Sequence, residues 1–309
     1  MNKVTVIIVN WNGTQYLKGC FESLKEQSMA PWETIVVDNA STDGSDEQIA
    51  TIYPWVKLLR NTKNEGYATA NNQGIKLSQG DRILFLNMDV KLAPGFIRLL
   101  STALDECPGL GSVCGKLLLM EPQEQGLIDS VGIKVSRERY VIELGHGQKD
   151  DGQFSLPAER FGGTGAAVMY RRQTLEDAAV NGQIFDEDFF AYNEDVDLAW
   201  RCQLYGWSCR YLPQALGWHR RGGGKAVVAK WLRRRIRLNY YSMLYKNEAS
   251  LSGLPALFWK LRMHEDVVNP DPRLWVELIK KHRDLKNKRR IIQSKRRVAP
   301  EYISNLMAR

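Results

Sequence analysis

No apolar run in this sequence approaches the roughly 20 residues that a membrane-spanning helix needs. The stretch 4–9, next to the N-terminus, is too short for a signal peptide and has no small-residue cleavage site. It reads instead as a buried strand, and with nothing marking the chain for export a cytoplasmic protein is expected. Cysteine is sparse: Cys20, Cys107, Cys114, Cys202 and Cys209 are odd in number and form no C-x-x-C pair. That argues against a disulfide framework and a zinc site, and points to reduced thiols. Internal repeats and low-complexity linkers are absent as well. What remains is 309 residues, 44% hydrophobic and 25% charged, enough for one large core with or without a smaller appendage.

Charge is short of one sign in each part of the chain. Residues 1–218 hold 20 Lys and Arg against 28 Asp and Glu, a net of −8, whereas 219–309 hold 23 against 7, a net of +16. An acidic body with a basic tail implies an anionic partner for the tail (a diphosphate, an anionic membrane or nucleic acid), unless the tail is simply a solvated helical face.

Short apolar runs alternate with amphipathic stretches over the first hundred residues. Strands are expected at 4–9, 34–37, 56–59 and 82–86. Helices are expected at 14–27 with Thr14 as N-cap, from Ser41-Thr42-Asp43 to about 52, at 66–77, and at about 94–106 with Pro94 in its first turn. This βαβαβαβ order predicts an α/β fold with a mostly parallel sheet, helices on both faces, and ligands beyond the carboxyl ends of the strands. Asn10, Asn12, Asp38, Asn87 and Asp89 collect there. Residues 115–160 read as a hairpin or flexible insertion. From Lys225 onward only basic helical patterns follow, broken at Gly253-Leu254-Pro255 and Asn269-Pro270-Asp271-Pro272.

Four constellations carry chemistry. Asn87-Met88-Asp89 ends an apolar strand, where a carboxylate suits Mg²⁺ or Mn²⁺ shared with phosphate oxygens, although Asp there also forms turns. Asp38 ends another strand and can accept the imide N–H of uracil or thymine, or merely precede a capped helix in which Ser41 and Thr42 are the caps. Glu194-Asp195-Val196-Asp197 packs three carboxylates into four residues, so at least one should have a raised pKa if partly buried, as a general base needs. Acids also favour a helix N-terminus. Helical spacing puts Glu194 and Asp197 on one side and turns Asp195 by about 100°. Finally, Trp218-His219-Arg220-Arg221 precedes Gly222-Gly223-Gly224-Lys225, offering a metal ligand and a basic loop able to fold over a diphosphate.

Together with Val9-Asn10-Trp11-Asn12-Gly13, Val36-Val37-Asp38-Asn39-Ala40-Ser41-Thr42-Asp43-Gly44-Ser45, Asn64-Glu65-Gly66-Tyr67-Ala68 and Asn71-Asn72-Gln73-Gly74, these segments resemble the inverting family 2 glycosyltransferases of GT-A fold. The match is closest to the bacterial rhamnosyltransferase-like branch that builds surface polysaccharides. The resemblance implies a GT-A domain at 1–224, with nucleotide-sugar binding in about 1–115 and the acceptor side in about 116–224, followed by a basic helical region at 225–309. It implies Asn10 and Asn12 beside base and ribose, Asp38 on the pyrimidine, and Gly66 and Asn71 by the nucleotide. Thr164 falls where donor sugar and acceptor meet, with Arg220 and Arg221 near the diphosphate. Asp89 and His219 would be metal ligands, Asn87 would replace the first acid of the D-x-D motif, and Asp195 would be the catalytic base. The implied donor is dTDP-rhamnose, with UDP-hexoses next, and the acceptor a glycan or lipid-linked glycan.

Two rivals are weaker. A nucleotidyltransferase usually carries a Gly/Arg-rich phosphate loop after its first strand, but Asn10-Trp11-Asn12-Gly13-Thr14 has one glycine and no cation. A nucleic-acid-binding protein would account for Arg233-Arg234-Arg235-Ile236-Arg237 and Lys288-Arg289-Arg290, yet no base-reading motif accompanies them. Trp231, Leu232, Ile236, Tyr240 and Tyr241 interleave with those arginines as in a basic amphipathic helix. The tail is therefore expected on an anionic membrane surface, or packed on the catalytic domain or a second copy of the chain.

Overall fold

The computed structural model of the chain describes residues 3–221, 230–249 and 272–308. Strands β1 (Val4–Asn10), β2 (Glu33–Asp38), β3 (Lys57–Arg60) and β4 (Arg82–Asn87) alternate with helices α1 (Leu17–Lys25), α2 (Ser45–Ile52) and α3 (Tyr67–Leu77). They form the parallel half of the sheet in the order β3-β2-β1-β4. The period-two alternation of a strand explains β1: Val4, Val6 and Ile8 enter one core with Leu17, Phe21 and Leu24 of α1, whereas Ile7 enters the other with Ala68 and Ile75 of α3. Both faces are covered, so the strand is apolar throughout.

Beyond β4 the sheet becomes mixed. After β5 (Val90–Leu92) and α4 (Phe96–Glu106), β6 (Leu110–Leu119) pairs with β11 (Ala167–Arg171), which runs antiparallel between β4 and β6. The long β12 (Ser208–His219) lies parallel to β6 and carries β10 (Ala158–Arg160) on its outer edge. The expected hairpin exists as β8 (Ile133–Val135) and β9 (Val141–Glu143), preceded by β7 (Ile128–Ser130). It is not a loose insertion, because Ile128, Val131, Ile133 and Val135 belong to the main core.

Local corrections follow from side chains spent between loops. Thr14 opens a 3-10 turn, Thr14–Tyr16, and is not the cap of α1. Gly44, at φ 76°, precedes α2 in place of the expected Ser41 and Thr42. Asp43 accepts hydrogen bonds from both Thr14 N and Ser45 N, tying the first two strand–helix loops together.

Helices α5 (Arg172–Ala178) and α6 (Glu194–Leu204) pack beneath β11 and β12, and α7 (Lys230–Asn247), α8 (Pro272–Ser294) and α9 (Pro300–Ala308) complete that face. The breaks expected at 253–255 and 269–271 lie outside the described residues; Pro272 stands at the first position of α8, where a missing N–H is harmless. Leu238, Tyr241, Leu244, Leu278, Leu285 and Met307 share one core with Val196 and Trp200 of α6, so these helices rest on the body. Tyr241 is 1% exposed and Trp231 59%, so the residues expected at a membrane do not form one free face. Among the described residues, no helix is long and apolar enough to cross a membrane.

Candidate active site

The register of the sheet brings the candidate residues to one edge. Asn10 stands opposite Asp38, Val9 opposite Asn87, and His219 opposite Val90. Ala166, just before β11, accepts from Asn87 N, which places Thr164 and Gly165 beside the end of β4. All twelve predicted residues lie among the described ones. The loop Gly222-Gly223-Gly224-Lys225 lies outside them.

At the carboxyl ends of β1 and β2, Asn10 and Asp38 are buried and bonded to each other. Asn10 Nδ2 donates to Asp38 Oδ1 at 2.7 Å and to Ser45 Oγ at 2.8 Å. Asp38 also accepts from Ser41 Oγ at 2.6 Å and Ser41 N at 3.0 Å. Most of the Asp38 carboxylate is thus used within the protein, which shapes the floor of the cleft. Asn12, at φ 55°, accepts from Thr42 N. Asn71 is buried and donates back to Tyr67 O inside α3. Gly66 has φ 87°, and a Cβ there would meet the Phe190 carbonyl at 2.6 Å, so its lack of a side chain serves the approach of another loop.

A second cluster surrounds His219. Its Nε2 faces Asp89 Oδ1 at 3.3 Å and its Nδ1 faces buried Asp129 Oδ2 at 2.8 Å. Burial pushes the imidazole pKa down, but the bonds to Asp129 and Asp89 outweigh it and raise the value to about 9. This donor set fits a hard divalent cation: Asp89 supplies oxygen, Nε2 supplies nitrogen, and Asp129 orients the ring through Nδ1, as carboxylates do behind metal-bound histidines. Asp129, Glu143 and His146 also lie close enough to hold an ion. There, however, Arg221 already bridges Asp129 and Glu143. Arg220 is ion-paired with Glu121 at 3.1 Å. Both arginines are therefore paired with carboxylates in this structure. Thr164 Oγ1 donates to Glu143 Oε1 at 3.2 Å, linking this cluster to the next.

The helical spacing puts Glu194 and Asp197 on one side and turns Asp195 away, and in the structure the first two are buried and Asp195 half-buried. Asp197 is fully buried and bonded to Arg201 and Asn247. Glu194 is buried, and desolvation followed by the nearby Asp195 charge raises its pKa well above the usual carboxylate range. Asp195 is the more open member, accepting from Gly165 N at 2.9 Å and Val196 N at 2.8 Å. Desolvation raises its pKa too, despite those two bonds. Tyr67 OH donates to Gly165 O at 2.9 Å, which fixes the peptide that holds Asp195.

The loop leading into α6 is strained. Phe190, Tyr192 and Asn193 have φ of 62°, 71° and 67°, each costing on the order of 1–3 kcal/mol for a non-glycine residue. Asn239 of α7 offsets this, with Nδ2 2.8–2.9 Å from the carbonyls of Phe189, Ala191 and Tyr192. Asn239→Ala is expected to lower kcat by about 10- to 100-fold, since small misplacements of reacting groups have that effect. Nucleotide affinity, measured by calorimetry, should stay unchanged; an unchanged kcat would show that the loop holds itself.

Sequence reasoning missed Asp129, Glu143, Tyr67 and Asn239. Asp129 sits in an irregular stretch without a motif, and Asn239 in a helix read only as basic. Their signal is a partner far away in the chain.

Residues 5–178 match the family model described as "Glycosyl transferase family 2", and residues 125–278 match "Glycosyl transferase family group 2". The N-acetylglucosaminyl-diphospho-decaprenol L-rhamnosyltransferase of Mycobacterium tuberculosis is 28% identical over 237 residues, covering 68% of this chain and 73% of that protein. Among solved structures, S. aureus TarS 1-349 superposes with a TM-score of 0.57 at 15% identity, over 94% of this chain and 90% of that one. GalNAc-T7 with UDP, GalNAc and Mn²⁺ gives a TM-score of 0.61 at 13% identity, over 81% of this chain and 49% of that one. With the first family model spanning more than half of its residues and a GT-A fold around the cleft, the chain belongs to glycosyl transferase family 2 and is a glycosyltransferase.

Proposed function

We propose that this enzyme transfers a sugar, with inversion, from a nucleoside-diphosphate sugar to a hydroxyl of a glycan or lipid-linked acceptor in surface polysaccharide synthesis. The observation that carries the reading is Asp195, a half-buried carboxylate of raised pKa held by two backbone N–H groups beside Gly165. Asp195 takes the proton of the acceptor hydroxyl as that oxygen bonds to the anomeric carbon, and the bond from that carbon to the diphosphate oxygen breaks on the opposite face. Asp89 and His219 would hold Mg²⁺ or Mn²⁺, which supplies charge neutralisation for the leaving diphosphate. With Asn87 in place of an acid, that site would hold the ion with modest affinity. Arg220 and Arg221 exchange their carboxylate partners for phosphate oxygens.

Residues 1–224 form the catalytic domain in this reading, with the nucleotide side in about 1–115 and the acceptor side in about 116–224. L-Rhamnose from a dTDP donor is the favoured sugar, supported by the name of the mycobacterial relative. The basic region 225–309 meets an anionic membrane surface, on the inner face of which a lipid-linked acceptor would lie.

A panel of nucleotide-sugars, each with and without Mg²⁺ or Mn²⁺, tests the proposal by thermal shift and donor hydrolysis. One pyrimidine-diphosphate sugar should stabilise the chain and be hydrolysed slowly. The metal-dependent part of both signals should vanish in Asp89→Ala. A metal-dependent gain in hydrolysis that persists undiminished in that variant would remove Asp89 from the role.

A further inference from the structure

The sequence locates the most apolar-basic pattern of the tail in α7, yet a block of cations without ion pairs among the described residues lies on and beside α8. One face of α8 is spent on the body: Leu274, Leu278, Leu285 and Ile292 are buried, while Lys281 and Lys288 pair with Asp188 and Asp186. At about 100° per residue, Val276, Ile279, Lys280, Arg283, Lys286 and Arg290 fall within about 120° of arc on the opposite face. Both acids of the helix, Glu277 and Asp284, lie outside that arc, and Asp284 pairs with Lys288. Val276 and Ile279 are 49% and 65% exposed.

Beside this face lies an open groove of about 700 Å³ lined by Arg283, Lys286, Arg289, Arg290 and Arg296. Arg289 is anchored by donating to the Tyr245 and Glu248 carbonyls at the end of α7. Among the described residues, Arg283, Lys286, Arg290 and Arg296 have no ion pair. Like charges gathered this closely repel one another, so the surface is a standing attractor for clustered anions.

We infer that this face of α8, with its groove, is the docking surface for an anionic phospholipid bilayer. The inference rests on the membrane-facing reading of the tail and goes beyond it in assigning the contact to α8. Two exposed aliphatic residues running into a block of cations match an interfacial helix, in which the aliphatic groups enter the acyl boundary and the cations meet lipid phosphates. A nucleic acid would use the cations but not Val276 or Ile279, and the face offers no aromatic ring for stacking bases.

The test is co-sedimentation of the full chain at low salt with vesicles containing about 30% phosphatidylglycerol, and with phosphatidylcholine vesicles alone. Wild type should bind the first and not the second. The triple variant R283Q/K286Q/R290Q should bind about 100-fold more weakly, with thermal stability and donor hydrolysis unchanged, and Ile279→Ser should weaken binding separately. Loss of binding in R233Q/R234Q with the α8 variants unaffected would overturn the α8 assignment while leaving a membrane-bound tail. No binding by wild type would overturn both. Retained vesicle binding by the triple variant, with loss of affinity for single-stranded RNA, would identify the groove as a nucleic-acid site.

Discussion

Asp195→Asn is expected to lower sugar transfer by about 10²- to 10⁴-fold, the usual contribution of a positioned general base. Nucleoside-diphosphate affinity should change by less than about twofold, because the cleft floor made by Asn10, Asp38 and Ser41 does not touch this residue. Asn keeps the shape and one acceptor oxygen, but its NH₂ group must face either Gly165 N–H or Val196 N–H, a local loss of about 1 kcal/mol. Such a loss leaves the fold intact, so the two readouts separate. The pH profile of the wild type gives a second check. Burial favours the protonated carboxyl, so the base becomes active only above a pKa that is higher than the ordinary value of about 3.9. Transfer should fall on the acid side at a pH above that value. A variant with normal turnover, or an acid limb at the ordinary carboxylate value, would remove Asp195 from the role.

Asp186→Ala is expected to destabilise the protein by about 3–5 kcal/mol in denaturant unfolding, because it strands buried ammonium groups. Lys246 is 2% exposed at its side chain and pairs with Asp186 and Asp197, and Lys288 pairs with Asp186 at 2.9 Å and Asp188 at 2.8 Å. Asp197 and Asp188 remain in the variant, which favours the lower end of the range. Burial alone would raise the Asp186 pKa, but Lys246 and Lys288 outweigh it and hold the carboxyl well below the usual range. Its folded value is depressed, so its contribution is fully present above about pH 4 and is lost as pH falls further. Wild-type stability should therefore show a decline below pH 4 that Asp186→Ala largely lacks. The same variant should release the tail helices to proteolysis before the body. A loss under about 1 kcal/mol would mean that the tail is held by its apolar contacts alone.

These two residues also mark how far the sequence could be read. The acids at 194, 195 and 197 were legible as a cluster at a helix start, and it was the family resemblance that singled out Asp195 among them. Asp186 was not legible, because nothing near it in the chain announces that Lys246 and Lys288 will arrive from two other helices. Likewise His219 could be named as a ligand, but Asp129, which sets its ring, lies 90 residues away in a stretch without periodicity. Ser41 and Thr42 carried a strong helix-start signal, yet their polar groups serve Asp38 and Asn12 instead. Local propensity loses wherever a side chain meets a partner from another loop.

By itself the sequence determined the parallel α/β half, the sheet edge at which the candidate residues gather, the acid-rich helix start and the division of charge between body and tail. All of these follow from periodicities of two and 3.6 and from residues adjacent in the chain. Only the tertiary structure decided that the 115–160 segment is part of the core, that Asn239 restrains the loop before Asp195, and that the tail is packed on the body. Among the described residues it also decided that Arg283, Lys286, Arg290 and Arg296 have no ion pair. The reason is physical: a charge is neutralised or left open by whatever lies within a few ångströms of it, and those neighbours come from distant parts of the chain.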